Sequence, residues 1–246
     1  MTTTLDRTAF VQRLDIGTIH PKLALARAAD GVAPRGAAAA VAAGSLLSFT
    51  TNVGAQHRAD ALHSTLLAQL SSDRLFDRFD EDQRTGWHHH YAAVLAALGW
   101  DVREFAFHRR QIDDEPTRST VDRLLGAVLP AGEQALSSAA LRALAALPAD
   151  DPWYQVWDAL GRDRATAAFQ VGSCAGFGAV LVLQLSCFSL RTNGNTARFP
   201  WDDCGGSLTH ATQACTLDDE VYSQVRGAVA KKLGAKAVQY VGNLRL

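Results

Sequence analysis

The sequence predicts an α+β fold in a single domain (residues 1–246), with a helical first part, about 1–100, packed on a mostly antiparallel sheet from about 101–246. Three observations carry that prediction. Apolar residues recur at helical spacing in the first part, at Ala59, Leu62, Leu66, Leu67 and Leu70, and again at Trp87, Tyr91, Val94, Leu95 and Leu98. The period changes near Val102, where Val102 to Ile112 sets Phe105 and Phe107 on one face of a strand. The run AVLVLQLSCFSL, 179–190, is apolar almost throughout, as a strand covered on both faces must be.

The elements follow in order. The first strong helix spans Gln56 to Leu70; a second begins after Gly86 and is stopped by Gly99. Thr120 to Leu129 and Leu136 to Leu147 read as helices closed by Pro130 and Pro148. Strands are expected at Val102 to Ile112, Ala165 to Val171, Ala179 to Leu190 and Thr209 to Cys215. Gly172, Gly176 and Gly178 suggest a hairpin connection, and Asn193-Gly194-Asn195 a turn. Asp218 and Asp219 open a helix that runs to Leu233 and stops at Gly234, and Ala237 to Leu244 is the expected final strand. No internal repeat is visible.

Composition narrows the function classes. Hydrophobic residues make up 48% and charged residues 20%, which fits a packed globular chain. Formal net charge is −1, so there is no general attraction to nucleic acid or anionic lipid. Met1 to Leu14 carries Asp6 and Arg7 where a secretory signal needs an apolar core. The small-apolar stretch Gly36 to Phe49 is shorter than the about 20 residues that span a bilayer; it reads as a closely packed core helix or as a membrane-contacting segment. The four cysteines, at 174, 187, 204 and 215, form no CxxC pair, so the expectation is free thiols in a cytoplasmic protein without a metal centre.

The candidate chemistry centres on cysteine. His88 to His90 are adjacent on a helix, so at most one faces any given site. His57 and His63 are poorly spaced for shared ligation, and the Asp77 to Asp82 run, interleaved with arginines, reads as a self-paired surface. In GSCAGFG, Gly172 and Gly176 flank Cys174 at the spacing of a nucleophile elbow, but an apolar strand follows where the elbow needs a helix. The flanking glycines leave the sulfur sterically open to an acyl carbonyl, and Phe177, Leu181 and Leu183 supply apolar surface for a hydrocarbon chain. The same residues equally describe a glycine-rich hairpin around a buried cysteine. Cys187 reads as core. Cys204, beside Trp201, Asp202 and Asp203, is a second candidate thiol, and His108 and His210 are the candidate bases.

The segments HSTLLAQLSSD (63–73), WHHHYAAVLAALGW (87–100) and AAFQVGSC (167–174), in this order, resemble the Evf-type bacterial virulence factors. The resemblance implies an α/β fold in which a cysteine carries palmitate as a thioester inside a tunnel, and Cys174 is the matching position. The donor is then acyl-CoA or an acyl-carrier protein, with no cofactor beyond the covalent acyl group. Each buried methylene contributes about 0.8 kcal/mol, so a long chain would be held firmly. Three functions compete: a cysteine-dependent acyltransferase, a non-enzymatic acylated effector or toxin acting on a membrane or host partner, and a binding protein without covalent chemistry.

Overall fold

The computed structural model describes residues 4–19, 39–103, 105–163, 165–178, 180–191 and 204–246, with backbone alone at 4–5, 109–116 and 204–205. The sheet has the strand order β3 (Trp100–Val102), β8 (Cys204–Leu217), β7 (Val180–Arg191), β6 (Thr166–Phe177), β2 (Ser45–Phe49), β1 (Ala39–Ala42), β9 (Val241–Leu244). β4 (Ala106–Pro116) continues past β3 along the same side of β8, and the two-residue β5 (Arg162–Asp163) pairs with the start of β6. Every pairing is antiparallel except β2 with β6, so the α+β architecture and the mostly antiparallel sheet are as expected.

The division at residue 100 is not. The hairpin β1–β2 lies in the first part, and its residues Ala39 to Phe49 are all buried. The Gly36 to Phe49 stretch, read as helix or membrane segment, is therefore a strand pair from residue 39 onward. Its turn places Ala43 at φ 53°, and the neighbouring chain satisfies its backbone: Ala43 N donates to Tyr240 O at 2.9 Å and Gln170 N to Gly44 O at 3.0 Å. Small residues let helices approach both faces of these strands closely.

Helices cover the sheet on two sides, and register sorts which residues face which. Cα partners on neighbouring strands point the same way, and successive residues alternate. One row holds Phe49, Cys174, Leu183 and Cys215. Gln170, Gly172, Cys187 and Leu185 share that face, beneath α2 (Ala55–Leu75) and α3 (Glu81–Leu98). The opposite face presents Ser48, Ser173, Phe169, Phe188 and His210. There α5 (Ala131–Ala146) bonds Ser137 to Ser48 at 2.9 Å and accepts from Ser173 on Glu133 at 2.7 Å. α6 (Pro152–Gly161) adds Trp157 against Phe169, with ring centroids 5.6 Å apart.

The helix ends follow local chemistry. Asp80 caps α3 by accepting from Asp82 N at 2.9 Å, so the helix begins ahead of Gly86, and part of the acidic run serves as its cap. Gly99, at φ 104°, closes it. α4 (Thr117–Val128) and α5 end ahead of their prolines. Asp218 caps α7 (Asp219–Leu233) and Gly234 ends it. The expected strand from Ala237 is replaced by a short helix, α8 (Ala235–Tyr240), and only Val241–Leu244 joins the sheet. α1 (Thr4–Arg13) and α6 were not expected, although Asp151-Pro152 is a cap-and-first-turn signature for α6.

α2 is a central helix and buries polar groups on several sides. Arg226 of α7 grips the buried Asp60 carboxylate with two bonds of 2.9 Å, and Trp100 Nε1 donates to Ser64 Oγ at 3.0 Å. Among the described residues no helix is long and apolar enough to cross a membrane.

Candidate functional site

Cys174 lies inside β6, not in the turn, and is 0% exposed. Phe49 and Leu183 are its strand neighbours, with Cys215 beyond Leu183. Burial pushes its thiol well above the usual range; Glu133 and Cys215 add to the rise, and Arg58 opposes it. The flanking glycines do not open the sulfur to a ligand. A Cβ at Gly172 would lie 2.5 Å from Leu47 Cδ2 and 2.9 Å from Leu185 Cδ2, so leucines already occupy that space. Gly176 sits against Asn52, whose amide donates to its carbonyl. Of the three glycines only Gly178, at φ 64°, belongs to the hairpin turn. Leu181 and Leu183 are buried on the face of Cys174, but Phe177 is 61% exposed at the hairpin tip and alternates to the opposite face.

The two candidate bases lie elsewhere. His108 and His210 are cross-strand partners, and His210 continues the row of Phe188 and Phe169. That row points away from Cys174. His210 is buried and stacks on Phe188 at 4.8 Å, 9° from parallel, while His108 is exposed. Neither is placed to take a proton from Cys174. Cys174, Cys187 and Cys215 are free thiols. The side chain of Cys204, with Trp201, Asp202 and Asp203, lies outside the described residues.

A second constellation forms on the Cys174 face, nearer the start of β6. Arg78, Arg84, Trp87 and His88 from the helical side meet Gln170, Cys187, Ser189 and Thr209 from the sheet around a cavity of about 20 Å³. That is room for about one water. A polar chain leads into it. Arg78 donates to the Gln69 amide oxygen at 2.8 Å, and the Gln69 nitrogen donates to Ser45 Oγ at 2.9 Å. Ser45 Oγ donates to Gln170 Oε1 at 2.7 Å, and Gln170 Nε2 to Cys187 Sγ at 3.3 Å. Of the three adjacent histidines, His88 is the one turned inward; His89 is exposed, and His90 Nε2 lies 3.0 Å from Ser71 Oγ. Burial, with Arg84, Arg78 and His89 adding, lowers His88 to about 3. Its Nδ1 has no hydrogen-bond partner. The sequence reading left Cys187 in the core, because nothing in linear spacing joins residues 78, 88, 170 and 187. Among the described residues no cluster of three or more metal-ligating side chains occurs.

Fold and site together define a single mixed sheet between two helical layers, with Cys174, Cys187 and Cys215 buried in the interior. No family model and no curated protein sequence matches the chain. Its fold is similar to that of the activated Cyt2Ba monomer from Bacillus thuringiensis subsp. israelensis, at 13% identity and a TM-score of 0.44, covering 70% of this chain and 95% of that one. A delta-endotoxin gives 12% and 0.39, with 72% and 83% covered. The Evf virulence factor gives 10% and 0.37, with 81% and 78% covered.

Proposed function

We propose that the protein is a virulence-effector or toxin-like protein that stores a long-chain acyl group as a thioester on Cys174, with acyl-CoA or an acyl-carrier protein as donor. The effector part of this reading follows the Evf-type sequence resemblance. The observation that supports storage is the setting of the sulfur: Cys174 is fully buried on a wall of Leu181, Leu183 and Phe49, and both candidate histidines face the other way. A thioester there is sheltered from water and lacks a base for transfer. Storage is thus favoured over an acyltransferase cycle.

The acyl-free packing is closed, since Leu47 and Leu185 fill the space at Gly172. Loading therefore requires Leu47 and Leu185 to give way beside Cys174. Peripheral membrane contact through Gly36 to Phe49 also needs an opening, because residues 39–49 are buried. The test is intact mass and peptide mapping of wild type and Cys174→Ser, before and after hydroxylamine, with and without acyl-CoA. A hydroxylamine-labile increment is expected in wild type alone, formed faster in mild urea. An increment that persists in Cys174→Ser moves the site to another cysteine. No increment in either protein ends the acyl reading and leaves a non-covalent binding role.

A further inference from the structure

We propose that the cleft between the start of α3 and the sheet binds a small hydroxylated cation of the amino-sugar class. This does not rest on acyl storage at Cys174. The cleft holds about 470 Å³, within the range of ligand pockets. Register builds its floor. Asp163 of β5, Thr166 of β6, Arg191 of β7 and Ser207 of β8 stand in one cross-strand row. Ala168, Ser189 and Thr209 form the next row on the same face. Cross-strand partners point the same way, so four hydroxyls, those of Thr166, Ser189, Ser207 and Thr209, line one cleft.

None of these four hydroxyls has a hydrogen-bond partner among the described residues. Ser189 carries the argument, because it is only 7% exposed. A hydroxyl can donate and accept at once, and one so deeply placed ordinarily does. A ligand rich in hydroxyls can answer both roles.

The rim sets the sign of the charge. Four carboxylates, Asp77, Asp80, Glu81 and Asp163, stand against the guanidinium groups of Arg84 and Arg191. Arg84 Nε is turned to Arg78 O at 3.2 Å. Asp80 is held as the α3 cap, and Asp77 accepts from Phe79 N at 2.9 Å, so both carboxylates are oriented and keep lone pairs for a ligand. Asp163 is exposed and has no ion pair among the described residues. The carboxylates do not converge as a metal ion requires, since no group of three or more ligating side chains occurs among the described residues. A ring of separated charge suits an organic ammonium and repels an anion. Phe79, half-buried on the wall, offers apolar surface to the C–H groups of a sugar ring. The ammonium then pairs with Asp163 and Asp80, and the sugar hydroxyls exchange hydrogen bonds with Ser189 and Thr209.

The probes are D-glucosamine, D-glucose and putrescine, each titrated into the full chain at mildly acidic pH, where the amines are charged, and read by calorimetry or ligand-observed NMR. Glucosamine should bind several-fold more tightly than glucose, which lacks the charge, and than putrescine, which lacks the hydroxyls. Asp163→Asn, at an exposed position, should weaken glucosamine several-fold and leave glucose unchanged. Ser189→Ala should weaken both sugars and leave putrescine unchanged. The wild-type order of the three probes needs no variant, so a misfolded Ser189→Ala leaves a decisive measurement. No saturable binding of glucosamine, binding no tighter than that of glucose or putrescine, or an unchanged glucosamine affinity in folded Asp163→Asn or Ser189→Ala overturns the inference.

Discussion

Cys174 and Cys187 occupy neighbouring strands, face the same side of one sheet and are both buried, yet their surroundings differ in kind. Cys174 is sealed by Leu183, Phe49 and closely packed leucines beside Gly172. Cys187 borders a cavity and receives a hydrogen bond, with an imidazole and two arginines lining the same space. Burial raises both thiols. The difference teaches that two equally buried cysteines on one sheet face can have neighbours of different kinds, one set apolar and one polar.

The comparison can be broken from the sealed side. Leu183→Ala removes the strand neighbour of Cys174 and should cost about 2–5 kcal/mol, read from urea denaturation. The new cavity should raise the alkylation rate of Cys174 in the folded protein. Unchanged Cys174 reactivity despite the lost stability would show that packing is not what silences it. Gly172→Ala presses the other way. Its Cβ meets Leu47 and Leu185, so a loss of about 1–3 kcal/mol is expected, with Cys174 no more reactive than before.

The open side yields smaller effects. His88 has a folded pKa of about 3, below its value of about 6.5 in the unfolded chain. The unfolded state therefore binds the proton first, and this contribution to stability is lost as pH falls from about 6.5 towards 3. Between pH 6 and 5 the loss should be about 1 kcal/mol, and His88→Leu should remove it, as followed by thermal or urea unfolding. Ser45→Ala cuts the polar chain between Gln69 and Gln170 and should cost about 1 kcal/mol. Urea denaturation of the folded variant reads that loss.

Much of the scaffold was legible because its signals are local. Gly99, Asp218 and Gly234 mark helix ends by backbone freedom or capping, and the apolar run from 180 to 190 can be little other than an interior strand. The β1–β2 hairpin was hidden because three of the four residues of Ala39 to Ala42 are alanines, poor strand formers, with Val41 the one exception; burial between two helical layers makes those residues a strand. At the site, half of the correction was within reach. His210 and Cys215 are five residues apart on one strand, so alternation alone sets them on opposite faces. That Cys174 shares a row with Cys215 needed the register across β7, which no local pattern encodes. The cavity at Cys187 was further out of reach, since its walls come from one helix, the loop before it and three strands.

The pairing of β1 with β9 carries a cost during synthesis. Residues 39–42 leave the ribosome early, and their partners at 241–244 follow only after every other described element has been made. Even β2 must wait for β6 before its parallel edge is satisfied. For most of translation the hairpin is thus an apolar ribbon with an open edge, the kind of surface that recruits chaperones or pairs with another nascent chain. So long a wait for a distant partner also slows folding from the unfolded state, and it makes the slender β9 the closure on which the N-terminal hairpin depends.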